Sequence, residues 1–234
     1  MIGLTHRLNS AIRNGIQRLP PRWRLPVLAM VDQVQGAIEV ENVEVPRLIP
    51  MNQRLVALDV GANNGVTTAI LSKVFREVHA FEPHPLMADD LANAGLPNVT
   101  VHPLAASEGA GEAELVIPIS QGVTMTGWGS LTGSLLDQFA DFQRIKVATL
   151  SIDSLNLAEV DYIKIDVEGH ELDVLKGAQE TIRRWKPWLV VEALGEQQLA
   201  VINFLQPLGY SKTDLQQLSG TPGTEHNLIF KPAL

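Results

Sequence analysis

The chain has 234 residues, enough to bury a substantial core as one domain. Hydrophobic residues make up 45% and charged residues 19%, with no cysteine, which removes thiolate nucleophiles, disulfides, zinc ribbons and iron–sulfur clusters together. The net charge of −8 argues against a nucleic-acid groove, and no apolar run is long enough to span a membrane.

Charge is uneven. Residues 1–31 hold Arg7, Arg13, Arg18, Arg22 and Arg24 and no acid, a charge of +5 that leaves −13 on the remainder. Ile2, Leu4, Leu8, Ile12, Ile16 and Leu19 recur at helical spacing between those arginines, predicting an amphipathic helix that Pro20-Pro21 stops. A cap on the domain, a dimer contact and a helix lying on an anionic membrane surface are the readings left open for residues 1–24. Residues 32–50 read as a connector with one more helix, so 1–50 form a helical extension and 51–234 a single domain. The absence of a signal-peptide pattern and of cysteine favours a cytoplasmic, at most membrane-peripheral, protein.

From residue 55 the pattern is strand, turn, helix, strand, the mark of βαβ units wound into a parallel sheet. Leu55–Val60 is nearly all apolar, as in a strand buried on both faces, and Asp59 interrupts it near its end. Gly61 and Gly65 permit a tight turn and close approach of a ligand, and a helix from Thr67 to Phe75 follows. A second strand, Glu77 to Phe81, ends at Glu82-Pro83, 21 residues beyond Gly61, near the spacing at which a carboxylate binds ribose hydroxyls. After a helix over Leu86–Ala94, a third strand covers Val99–Leu104, with Ala105-Ala106-Ser107 leaving room for a flat ring. Glu112–Pro118 reads as a half-exposed strand, Ser120–Gly133 as a long functional loop, and Arg144–Leu150 as a strand.

The second informative stretch is VDYIKIDVEGHELDVLKG, residues 160–177. Asp166 and Glu168 fall two apart and share a face with Lys164 if the strand stays extended; Lys164 then neutralises Asp166. His170 follows at the sheet edge where open α/β folds place their ligands. Trp188–Glu192 is a further buried strand ending in an acid. Gln197–Leu205 reads as a helix, Gly209–Leu215 as a strand, and Asn227–Phe230 as a last strand returning as a hairpin.

DVGANNG, FEPHP, Ser130-Leu131, TLSIDSL and IKIDVEGHELDVLKGA together resemble the FkbM family of S-adenosylmethionine-dependent methyltransferases, over roughly residues 50–232. The resemblance implies a class I methyltransferase, Rossmann-like α/β fold with a seven-stranded, mostly parallel sheet whose last strand is antiparallel. It also implies O-methylation of a sugar, glycan or other hydroxylated natural product. Asp59, Gly61, Ala62, Asn63, Gly65 and Thr67 are then expected around the methionine and ribose of the cofactor, Glu82 and Pro83 at the ribose diol, and Ala105 at the adenine. Asp166 and Glu168 border the transferred methyl, and Ser130 and Glu192 sit on the acceptor side; apart from the resemblance, its intrinsic pKa makes His170 the expected base, with Asp166, Glu168 or Glu192 as alternatives. A divalent cation held by strand-end carboxylates is a less favoured addition, no His or Cys cluster suggests a transition metal, and a homo-oligomer is left open. Two rival readings are an NAD-dependent oxidoreductase with a variant turn, since G-x-G-x-x-G is lacking, and a non-catalytic glycan-assembly scaffold with a vestigial cofactor site.

Overall fold

A computed structural model describes residues 15–16, 18–120, 123–125, 128–132 and 139–232. The helix expected over residues 2–19 therefore lies almost wholly outside the described residues. Pro20-Pro21 does not merely stop a helix: Pro21 occupies the first position of α1, Pro21–Gln35, where its missing N–H and fixed φ suit a helix start. Gly36, at φ 64°, ends α1, and α2 follows at Val40–Leu48, so the expected connector is largely helical.

The domain proper begins with β1, Val56–Val60, then α3, Val66–Leu71, β2, Glu77–Phe81, α4, Pro85–Ala92, and β3, Val99–His102. Next come β4, Ala105–Ala106, β5, Gly111–Ser120, β6, Val123–Thr124, β7, Asp141–Leu150, and β8, Tyr162–Ile165. The chain continues through α5, Glu171–Gly177, α6, Gln179–Trp185, β9, Trp188–Glu192, α7, Glu196–Leu205, β10, Tyr210–Thr213, α8, Leu215–Ser219, and β11, Asn227–Pro232.

Seven strands form one sheet in the order β10-β11-β9-β8-β1-β2-β3. All pairs among β9, β8, β1, β2 and β3 are parallel, and the last strand β11 runs antiparallel to both β9 and β10. The apolar runs expected of doubly covered strands are buried on alternate faces. Leu58, Val60, Ile163, Ile165, Leu189 and Val191 pack with Val174, Leu175, Ile182, Val201 and Leu205 of α5, α6 and α7. Ala57, Tyr162, Val190 and Ile229 pack instead with Val45, Leu71, Phe75 and Leu215 of α2, α3, the segment after α3 and α8. β1 and β8 are neighbours whose chains depart to opposite edges of the sheet, which opens a crevice beyond their carboxyl ends.

A second sheet, β4-β7-β5-β6, was not legible as a unit. Its centre is an antiparallel ladder that pairs Gly111 with Thr149 and continues to Ile119 with Asp141. The stretch expected as a long loop is partly paired: β6 pairs with the end of β5, and Ser130 and Val116 exchange backbone hydrogen bonds of 3.0 and 2.9 Å. Among the described residues, no helix is long and apolar enough to cross a membrane.

Candidate active site

Three strand ends meet at the crevice, and their sequences explain why. Gly61 follows β1 at φ 82° and its N–H, like that of Ala62, donates to the Phe81 carbonyl at 3.0 Å, tying the turn to β2. A Cβ at Gly61 would lie 1.8 Å from the Asp166 carbonyl oxygen, so the turn and the end of β8 approach as closely as only glycine allows. Asn63 sits at φ 47°, a conformation asparagine tolerates better than most residues.

The cleft holds about 610 Å³ of empty space including its open mouth. Gly61, Asn63, Glu82 and Pro83 line it on the β1–β2 side, Asp166, Glu168 and His170 on the β8 side. The small sheet closes it with Ala105, Ala106, Leu115, Gly129 and Leu131. Ala62, Gly65 and Thr67 stand outside this lining. The hydroxyl that reaches the β1 acid is that of Thr68, one residue along, which donates to Asp59 Oδ2 at 2.5 Å.

Asp59 is wholly buried, and its Oδ1 has no hydrogen-bond partner among the described residues while lying 3.8 Å from Lys164 Nζ. Burial raises its pKa, an effect that Lys164 and Thr68 partly offset. Lys164, only 4% exposed, donates to Asp166 Oδ2 at 2.9 Å and to the Gly61 carbonyl at 3.4 Å. Burial opposes its charge, yet Asp166 and Asp59 together outweigh that, so its pKa stands above the usual lysine value. Lys164 thus pairs with Asp166 as the sequence suggested. Glu168 does not share their strand face, because β8 ends at Ile165 and Glu168 adopts φ 53° before Gly169 at φ 104°.

That left-handed turn is pinned from several directions. Ser130 Oγ donates to the Glu168 carbonyl at 2.6 Å, Gly169 N–H to Glu171 Oε1 at 2.9 Å, and Gln197 Nε2 to the Gly169 carbonyl at 3.3 Å. Ser130, 1% exposed, therefore acts as a strut between the small sheet and the turn. Burial, with the charges of Asp166 and Glu171, pushes Glu168 up to about 7. Glu192 lies outside this lining, hydrogen-bonded to Asp166; burial and that neighbour raise its pKa. Glu39, Glu192 and His226 also bring one donor atom each within 4.8 Å of one another, and His226 Nε2 lies 2.9 Å from Glu39 Oε1.

Glu82 accepts the backbone N–H groups of Asn63 at 2.6 Å and His84 at 2.7 Å. It is 6% exposed, and burial pushes its pKa up to about 7 against those two hydrogen bonds. A carboxyl whose folded pKa exceeds its unfolded one binds its proton more tightly when folded. Its stabilising effect is full below about pH 4.5 and is lost as pH rises toward 7. The contribution is on the order of 3 kcal/mol, so Glu82→Gln is expected to flatten the fall in stability between pH 5 and pH 8 by an amount of that order, read by denaturant unfolding.

His170 Nε2 lies 2.9 Å from Ser107 Oγ, while Nδ1 lies 3.3 Å from Asp173 Oδ2, a charge contact without hydrogen-bond alignment. Burial lowers its pKa more than Asp173 raises it, leaving a neutral imidazole at neutral pH. His84, unassigned from sequence, also lines the cleft, 5% exposed, with Nδ1 lacking a partner among the described residues. Its place in the FEPHP motif was the available signal. The sequence placed Ser107 beside the room for a flat ring but not its contact with His170, and Leu115 gave no signal, since their partners are distant in sequence.

Of the carboxyl groups gathered around Lys164, those of Glu82, Asp166 and Glu168 line the cleft, a set suited to a ligand with positive charge and hydroxyls, while Asp59 and Glu192 stand outside its lining. This seven-stranded sheet, with its antiparallel last strand and a cleft at the β1–β8 crevice, is the Rossmann-like arrangement of the class I methyltransferase fold. The model of the methyltransferase FkbM domain matches residues 59–212, and the chain belongs to that family. Among solved structures it is similar to methyltransferase FkbM from Methylobacillus flagellatus KT, at 19% identity and a TM-score of 0.53. That match covers 96% of this chain and 59% of the other, so the chain spans well under two thirds of that protein's length. It also resembles an rRNA methylase from Streptococcus thermophilus, at 10% identity and a TM-score of 0.50, covering 83% of this chain and 95% of the other. No curated protein matches the chain in sequence.

Proposed function

We propose that the chain moves a methyl group from S-adenosylmethionine to a hydroxyl oxygen of a sugar, glycan or similar hydroxylated natural product, with His170 taking the hydroxyl proton. The observation that carries this reading is the place of His170: an imidazole whose pKa burial lowers, lining the same cleft as Asp166 and Glu168. When bound, the cofactor supplies a methyl group already activated on a sulfonium centre. In this reading Glu82 holds the ribose hydroxyls and Ala105 and Ala106 accommodate the adenine. Asp166, fixed by Lys164, and Glu168 offset positive charge near the methyl.

What remains for the protein is alignment and exclusion of water, which the apolar wall of Leu115 and Leu131 serves. An alcohol becomes strongly acidic only as its oxygen is alkylated, so a base beside the acceptor hydroxyl is needed, and His170 would take that proton as the methyl left the sulfonium sulfur for the oxygen. Ser107, 2.9 Å from Nε2, and Asp173, 3.3 Å from Nδ1, flank the ring.

The test is transfer of labelled methyl from S-adenosylmethionine to glycan and lipid-linked sugar pools, with mass spectrometry of glycans from cells with and without the protein. His170→Gln is expected to slow transfer by about 10²–10⁴-fold while leaving S-adenosylhomocysteine affinity unchanged. Cofactor binding with no transfer to any pool would favour a scaffold. Calorimetry showing NAD bound and S-adenosylhomocysteine ignored would sink the reading altogether.

A further inference from the structure

The helix α1 is apolar on two opposite faces. Leu25 and Leu28, with the buried Asp32 in line, face inward and pack with Val66 and Leu91. Trp23, Met30 and Val34 are 54%, 68% and 80% exposed. At 3.6 residues per turn these three fall within about 20° of one line along the helix, on the side away from the buried one. A helix whose inner stripe is already satisfied by the core has no folding reason for a second apolar stripe in water.

The charges beside that stripe point to its occupant. Arg18 and Arg22 are exposed, the Arg22 guanidinium lies 6.0 Å over the Trp23 ring, and Arg7 and Arg13 precede them in the sequence. Residues 15–38 carry no exposed acid: Asp32 is 6% exposed and receives the Asn64 amide at 3.3 Å. In a chain of net charge −8 this is a surface from which negative charge has been removed. A tryptophan under an arginine, in line with two unbranched or branched apolar side chains, suits the boundary of an anionic bilayer, where rings sit at headgroup depth. A second copy placed symmetrically on the same face would bring these arginines against one another.

We propose that the outer face of α1 docks on an anionic lipid surface. Its inner face abuts the turn that opens the cofactor site, through Asp32 and Asn64 and through Leu25, which a Cβ at Gly65 would meet at 3.5 Å. Docking therefore holds the cleft about one helix diameter from the membrane, within reach of an acceptor carried on a lipid.

The full chain is expected to co-sediment with vesicles of phosphatidylcholine containing about one third phosphatidylserine, to dissociate as salt is raised, and to ignore pure phosphatidylcholine. A triple variant, Trp23→Ser with Met30→Ser and Val34→Ser, is expected to lose at least about tenfold in partitioning. Arg18→Glu with Arg22→Glu should weaken it similarly; both variants should keep the unfolding midpoint and S-adenosylhomocysteine affinity. The proposal is overturned by undiminished sedimentation of the triple variant or by equal binding to neutral vesicles. Failure of the full chain to bind either vesicle, or a dimer in analytical ultracentrifugation that the triple variant dissolves, overturns it as well.

Discussion

Gly61→Ala is expected to abolish cofactor binding and to destabilise the domain by about 4 kcal/mol or more. Two costs combine. The residue sits at φ 82°, a conformation that costs an L-residue about 1–2 kcal/mol. The added methyl would also stand 1.8 Å from the Asp166 carbonyl oxygen, so β1 and β8 must separate at their carboxyl ends. That carbonyl belongs to backbone whose own N–H donates to Val60 at 3.0 Å, leaving it no soft direction in which to yield. Denaturant unfolding and S-adenosylhomocysteine calorimetry read the two effects separately. A variant that unfolds at the wild-type midpoint and still binds would show that the two strand ends are not as tightly apposed as described. Gly109→Ala, where a Cβ meets nothing within 4 Å, is the control and should leave both measurements unmoved.

Lys164→Met should be nearly as damaging, for an electrostatic reason. Methionine fills much of the same volume, so the change isolates the loss of a buried cation that stands against Asp59 at 3.8 Å and Asp166 at 2.9 Å. Removing one member of a buried charge cluster costs about 3–5 kcal/mol, because the partners are left charged and unpaired. Asp59 relieves itself by taking up a proton, so its folded pKa, already raised by burial, rises further above the unfolded one. The variant should accordingly regain stability as the pH is lowered from 8 to 5, where wild type gains less. Methyl transfer should fall below detection at either pH, since Asp166 loses the contact that orients it. Equal stability of the variant and wild type at pH 8 would refute the view that one lysine balances this cluster.

What could be read from the sequence followed physical locality. Strands β1, β2, β8 and β9 were legible because a run covered on both faces must be apolar, and each is closed by an acid or glycine that a buried strand would not otherwise contain. The helix Val40–Leu48 was legible only as one helix without bounds in the connector 32–50, because VENVEVPRL mixes β-branched residues and a proline, and its helicity comes from packing Val45 against the sheet. The ladder of Gly111–Ser120 with Asp141–Leu150 escaped notice since pairing across an insertion leaves no local mark. Within the site, a step of one residue decided two assignments. Neighbouring threonines point about 100° apart on a helix, so Thr68 rather than Thr67 reaches Asp59. The left-handed Glu168 likewise breaks the alternation that would have set it beside Asp166.

Ser130 gives the insertion a second point of attachment. The segment is anchored at its base by a nine-pair ladder and at its tip by a hydroxyl seated on the Glu168 carbonyl. A piece of chain held at both ends can diverge between them without disturbing the cofactor side. On the proposed function, transplanting the residues between β6 and Ser130 from a relative with another acceptor, with the serine kept, should change the acceptor and leave S-adenosylhomocysteine affinity unmoved.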